Sequence, residues 1–211
     1  MIDETSSTSR RPTRAEQRAA TRLALVEAAA DCLVEEGYGA LTTRRVAERA
    51  GVAQSTLMHH FPAREELIVD AITRLATELA DESLDAIDLA ALRTPSHREA
   101  VLDQAWRTFT SPRALAALQV WVAAWTEPEL AVTLRDLEER LSAIITLTAT
   151  TLFPAESGDP RFPALIDTGV TLIRGLVMGV PISGQEKLDE RFAAMKPILL
   201  QAASDLLDEP R

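Results

Sequence analysis

Apolar residues recur three and four positions apart along most of this chain, the spacing that lines one face of an α-helix. From Arg14 to Glu36, Leu23, Val26, Ala30 and the Leu33-Val34 pair keep that period until Gly37 and Gly39 break it. Thr42 is suited to cap a short helix reaching Ala50; Gly51 ends it, and Gln54 to Phe61 form another short helix before Pro62. A longer amphipathic helix is predicted from Glu65 to about Leu89. Five more follow at about 97–110, 113–126, 128–152, 163–180 and 185–208, separated by Pro, Gly and Ser signals. The expected fold class is all-α, with about nine helices.

Composition agrees. Hydrophobic residues make up 46% but aromatics only 4%, and helix formers abound while Gly is sparse. The single cysteine, Cys32, has no partner for a disulfide or a Cys-based zinc site. The N-terminus lacks an apolar core of signal-peptide length, and uncharged runs such as 141–155 are too short and Thr-rich to span a bilayer, so a soluble cytoplasmic protein with no membrane partner is expected. The net charge of −10 argues against nucleic acid until its distribution is counted. Residues 1–64 hold 9 basic against 8 acidic side chains, a balance of +1, and the rest holds 13 against 24, or −11. The N-terminal surface can tolerate phosphates that the acidic body would repel. Residues 1–13, rich in Ser, Thr, Arg and Pro, read as a flexible arm whose Arg10 and Arg11, with Arg14, could reach DNA.

Within LTTRRVAERAGVAQSTLMHHF (41–61), Val46, Ala47 and Ala50 form one inner face, and Val52, Leu57 and Phe61 form another. Two helices with so few apolar residues must lean on the first. Ala47 permits a close crossing, and Gly51 can take the left-handed conformation of a tight turn. This is the pattern of a helix-turn-helix, whose second helix enters the major groove. With Leu57 and Phe61 inward, Ser55 and His59 point outward, flanked by Thr56 and Met58. Between residues 37 and 64 the only carboxylate is Glu48, against Arg44, Arg45, Arg49 and Arg64. His59 and His60 are adjacent, about 100° apart around a helix, and so are not a metal-ligand pair.

The stretch LTTRRVAERAGVAQSTLMHHFPAREELI resembles the DNA-binding domain of the TetR/AcrR family of transcriptional regulators, through the Val46-to-Val52 run, the recognition helix and the Arg64-Glu65-Glu66-Leu67 entry to the next helix. The resemblance covers about residues 14–70; beyond it only length and helical pattern are similar. It implies DNA contacts from Thr42, Thr43, Arg44, Gln54, Ser55, Thr56, Met58, His59, His60 and Arg64. Arg44 and Gln54 would read bases, and His59, His60 and Arg64 would grip phosphate. Met58 stands where relatives commonly have Tyr, and Ala53 and Ala63 replace the usual helix caps.

The organisation expected is an arm (1–13), a DNA-binding domain (14–64) and a helical regulatory domain (65–211). In the last, Ala114, Leu118, Trp121 and Trp125 make a stripe at helical spacing that is either core or, as the resemblance implies for this region, the wall of an effector pocket. Trp106, Phe109, Arg174 and Met178 join Leu118, Trp121 and Trp125 as candidate effector contacts. The 163–180 segment is apolar almost all round and calls for burial on more than one face. Its Ile166, Gly169, Ile173 and Val177, with Leu188, Phe192, Met195 and Leu199 of the last helix, are candidates for a homodimer interface, the resemblance placing the dimer there. No phosphate loop, nucleophile elbow, di-iron motif or metal cluster is legible, so no cofactor and no enzyme activity are expected. The function implied is a homodimeric repressor that binds a palindromic double-stranded DNA operator and answers to a small-molecule effector. A non-specific DNA-binding or ligand-carrying helical protein is the alternative.

Overall fold

The computed structural model describes residues 13–86 and 97–207. Arg10 and Arg11, the expected helical continuation to Leu89 and the side chain of Leu206 lie outside the described residues. Within them there are α-helices and no strand, in the order α1 (Arg14–Glu36), a single 3-10 turn (Tyr38–Ala40), α2 (Thr43–Arg49), α3 (Gln54–His60), α4 (Arg64–Asp85), α5 (His97–Phe109), α6 (Pro112–Ala123), α7 (Pro128–Leu152), α8 (Phe162–Val177), α9 (Val180–Ser183) and α10 (Gln185–Leu207). The 3-10 turn and the four-residue α9 are additions to the expected pattern.

Local chemistry sets the boundaries. Thr13, placed in the arm by its sequence, closes a capping box on α1: its hydroxyl accepts from the Glu16 amide at 3.2 Å, and the Glu16 carboxylate accepts from the Thr13 amide at 2.6 Å. Those bonds, backbone first, hold the Glu16 carboxyl below its usual range. Gly37, at φ 79°, ends α1 in a backbone region closed to most side chains. Ser111 caps α6 with Pro112 in its first turn, whereas Ala53 and Ala63 make no side-chain cap on α3 and α4.

One core runs from Leu25, Val26, Ala29 and Leu33 of α1 through Val46, Leu57 and Phe61 into Leu67, Ile68 and Ile72 of α4, and on to Val120 of α6 and Leu130, Leu134, Leu137 and Leu141 of α7. The helices of the helix-turn-helix therefore share their interior with the body. Leu23, expected on the inner face of α1, is half exposed, because that face is centred on Leu25, Ala29 and Cys32. A second core joins Trp106 of α5, Ile173 and Val177 of α8, and Leu188 and Phe192 of α10. The stretch Phe162–Ser183 does have the length and mean hydropathy (1.5) of a membrane span, although the chain showed no uncharged run of that length. It contains two charges, Asp167 and Arg174, and Arg174 is ion-paired to Glu138 of α7.

Candidate nucleic-acid interface and effector cavity

Thr42 caps α2, its hydroxyl accepting from the Arg45 amide at 3.2 Å. Val46 and Ala47 are buried beneath α2, and Gly51, at φ 68°, turns the chain so that the Val52 amide donates to the Ala47 carbonyl at 3.0 Å. Leu57 and Phe61 are fully buried, which commits the opposite side of α3 to solvent. Gln54, Ser55, Met58 and His59 are exposed there, with Thr56 and His60 partly covered. The Gln54 amide donates to the Thr43 hydroxyl at 3.1 Å, bridging α3 to the start of α2.

The arginines divide in a way their positions in the sequence do not reveal. Arg44 is 80% exposed on the outer side of α2, paired with Glu48 one turn on at 2.9 Å. Arg45 and Arg49 turn back onto α1, Arg45 to Glu36 at 3.1 Å and Arg49 to Glu35 at 2.6 Å. Arg22 of α1 donates to the carbonyl of His60 at 3.0 Å, stacks over Phe61 at 4.0 Å and pairs with Asp70 of α4. These contacts brace the back of the helix-turn-helix. Desolvation, then the positive charges of Arg18, His59 and Arg22, push the His60 imidazole below its usual range.

Arg64 differs from expectation. Its guanidinium donates to the Leu41 carbonyl at 3.2 and 3.0 Å and to the Tyr38 hydroxyl at 3.2 Å, and it lies 4.9 Å from the centre of the Tyr38 ring. Its donors point into the protein, where it braces the turn before α2. The Tyr38 hydroxyl donates in turn to Glu127, just before α7, at 2.6 Å, and the Tyr38 amide donates to Gln119 of α6 at 3.1 Å. Gln119 fits closely, since a Cβ added at Gly37 would meet its Oε1 at 2.8 Å. Sequence reading took Gly37-Tyr38-Gly39 as a helix stop and missed this junction, because its partners lie more than eighty residues away.

Behind α4 lies a cavity of about 850 Å³ walled by α4 to α8 and α10. Four of the candidate effector contacts line it: Phe109, Leu118, Trp121 and Arg174. Three do not. Trp106 is a core residue, stacked on Phe192 at 4.5 Å and donating to Asp189 at 2.8 Å. Trp125 is 78% exposed because α6 ends at Ala123, so the stripe loses its last member to a turn. Met178 is 41% exposed at the end of α8.

The candidate interface residues also turn inward. Ile173, Val177, Leu188 and Phe192 are buried within the protomer, and Ile166, Gly169 and Leu199 line the cavity; Met195 is half-buried. The face of α8 to α10 left in solvent carries Leu172 at 40%, Met178 at 41%, Ile182 at 89% and Ile198 at 69% exposure. An all-round apolar helix has two candidate faces, and its sequence does not say which one the protomer covers.

The charges near the cavity are paired. Arg174 donates to Glu138 at 3.0 Å, and the other oxygen of Glu138 accepts the Trp121 indole N–H at 3.0 Å. Arg161 binds Asp159, and Arg98 donates to Glu156 at 3.1 Å. Glu156 is buried, with one oxygen held by Arg98 and 3.3 Å from His97 Nε2, and its other oxygen without a partner among the described residues.

Residues 25–71, which run from α1 into α4, match the family model for bacterial regulatory proteins, tetR family. Over 90% of its length the chain is 27% identical to an HTH-type transcriptional regulator of Mycobacterium tuberculosis, covering 97% of that protein. Among solved structures, a transcriptional regulator from Rhodococcus sp. Rha1 superposes with a TM-score of 0.64 at 19% identity, over 86% of this chain and 96% of that one. The multidrug binding protein EbrR, solved with ethidium, does so with a TM-score of 0.57 at 17% identity, over 83% and 98%. Residues 25–71 thus carry a helix-turn-helix of the bacterial tetR-family type, braced on α1 and α4, and the chain as a whole has the fold of these regulators.

Proposed function

We propose that this regulator acts as a homodimeric repressor, binding a palindromic operator through α2 and α3 and leaving it when a small molecule fills the cavity behind α4. The observation that carries the reading is the outer side of α3, where Gln54, Ser55 and His59 stand exposed beside Arg44. Arg44 and Gln54, both exposed, would read base edges, where guanidinium and amide groups pair with guanine and adenine. His59 and His60 would meet phosphate, Thr42, Thr43, Ser55 and Thr56 would supply hydroxyls along the groove, and Met58 an apolar contact to a thymine methyl. Arg64 is reassigned from phosphate contact to holding the turn.

The dimer reading moves to the exposed face of Leu172, Met178, Ile182 and Ile198, apolar surface of the kind a second copy covers. Coupling follows from α4. Its first half packs in the core beneath the DNA helices, and Ile72, Ala76, Leu79 and Ser83 line the cavity. An effector that fits only when α4 has shifted favours the arrangement that fits DNA poorly. Selection from randomised duplexes at moderate salt tests the reading: a palindrome is expected, and recovery of none would reject sequence-specific regulation. Light scattering should give a dimer at micromolar concentration, and Ile182→Glu with Ile198→Glu should give monomers.

A further inference from the structure

We propose that the effector is an uncharged, largely hydrocarbon molecule with a hydrogen-bond acceptor aimed at the amide of Gln104; this rests on the cavity being the effector site. A space of about 850 Å³ suits a drug-sized ligand. Its walls are mainly aliphatic and aromatic side chains such as Leu79, Phe109, Leu118, Ile144 and Ile173, and no carboxylate is among the described lining residues. Its three arginines, Arg98, Arg161 and Arg174, are each bonded to a carboxylate of the protein. A cation entering the cavity would find no lining counter-charge. An anion would meet arginines whose charge Glu156, Asp159 or Glu138 already offsets. Burying an uncompensated charge in such surroundings is strongly unfavourable, whereas an uncharged hydrocarbon surface gains from every wall it touches.

The polar chemistry of the lining is specific. Ser83 donates its hydroxyl proton to the Leu79 carbonyl at 2.7 Å, so the 2.7 Å bond between the Ser83 and Thr108 hydroxyls must be donated by Thr108. Thr108 accepts only a long contact, 3.4 Å, from the Gln104 amide nitrogen. The Gln104 carbonyl oxygen is occupied by Arg107 at 3.0 and 2.8 Å, which also fixes the amide orientation, since arginine only donates. The Trp121 N–H is taken by Glu138, and Thr148 and Thr168 donate to their own helix. Among the uncharged lining groups the Gln104 N–H donors are the under-used ones, and they call for a carbonyl, ether or hydroxyl oxygen. Ser83 belongs to α4 and Thr108 to α5, so an oxygen drawn to this point bears directly on the helix that reaches the DNA-binding core.

The test uses probes of related shape and different charge on the full-length protein: uncharged N-phenyl-1-naphthylamine, its anionic analogue 8-anilinonaphthalene-1-sulfonate, and the cation ethidium. Fluorescence titration should show the uncharged probe binding at least about tenfold more tightly than either ion. Gly169→Phe should abolish its binding, because Gly169 lines the cavity and a Cβ there meets nothing within 4 Å. Circular dichroism checks that this variant folds, and Thr148→Phe repeats the block from α7. An ion that binds as tightly and is lost in the blocked variants overturns the ligand class and leaves the cavity reading standing. Failure of all three probes to bind in a cavity-dependent way overturns both. Gln104→Leu should weaken binding of 2-tridecanone about fivefold, the worth of a neutral hydrogen bond, read from displacement of the probe with the probe's own affinity measured in the variant. An unchanged ketone affinity would overturn the assignment of Gln104.

Discussion

Removing a single oxygen, by Tyr38→Phe, tests whether the junction between the DNA-binding helices and the body is a structural joint. The ring stays, with its burial and the Arg64 guanidinium near its face. What disappears is a 2.6 Å hydrogen bond to Glu127 and a 3.2 Å bond accepted from Arg64. Hydrogen bonds to charged groups contribute about 1.5–3 kcal/mol each when well buried. Here Glu127 is 42% and Arg64 32% exposed, so water replaces much of each lost bond. A net loss of about 1–2 kcal/mol remains, which for a chain of this length lowers Tm by about 3–6 °C. Urea unfolding at fixed protein concentration, followed by tryptophan fluorescence, measures it. Combining Tyr38→Phe with Glu127→Gln should show a coupling of at least about 0.5 kcal/mol. A loss below about 0.3 kcal/mol, or strict additivity of the pair, would refute the idea that this hydroxyl joins the two parts. Burial, then the bond to Glu127, pushes the Tyr38 hydroxyl above its usual pKa, so it keeps the proton it donates throughout the neutral range.

Arg44→Ala should leave thermal stability unchanged and flatten base preference at one operator position, seen by comparing affinities across single-base operator variants. Arg64→Ala should behave oppositely, lowering Tm clearly, because it leaves the Leu41 carbonyl and the Tyr38 hydroxyl without their donor; a variant of wild-type stability with a reduced salt slope would restore the phosphate role. His60 has a folded pKa below its unfolded value of about 6.5, so the unfolded chain binds more protons in mild acid and stability falls as pH drops through that value. Urea midpoints compared between neutral and mildly acid pH should move less in His60→Gln than in wild type. Ala63→Ser should raise stability by about 0.5–1 kcal/mol, since position 63 already has the extended backbone of a helix cap (φ −107°, ψ 134°) and lacks only the side-chain oxygen.

The helix-turn-helix was legible because its requirements are local. Gly51 at positive φ, Ala47 at the crossing and Leu57 with Phe61 beneath α3 are fixed by neighbours a few residues away, and helix period alone sorts inside from outside. The same period failed where an element has more than one partner. The sequence offers Ile173 and Val177 as candidates for a dimer interface, yet within the protomer they pack with Trp106 and Phe192, from helices that periodicity cannot rank against a second copy of the chain. Trp125 failed for a different reason: a spacing of eleven counts only while the helix continues, and α6 ends two residues earlier. Charge is the least legible property of all. A surplus of arginine over residues 37–64 suggested a cationic face, but Arg45 and Arg49 are turned onto the acids of α1 and Arg64 onto Tyr38 and Leu41. A guanidinium ends several ångströms from its backbone and can serve either side of a short helix, so its direction is decided by where carboxylates and carbonyls fall in three dimensions. On the function proposed above, the face offered to DNA is consequently narrower than the sequence implied, and base reading falls to a few exposed groups, Arg44 and Gln54 foremost.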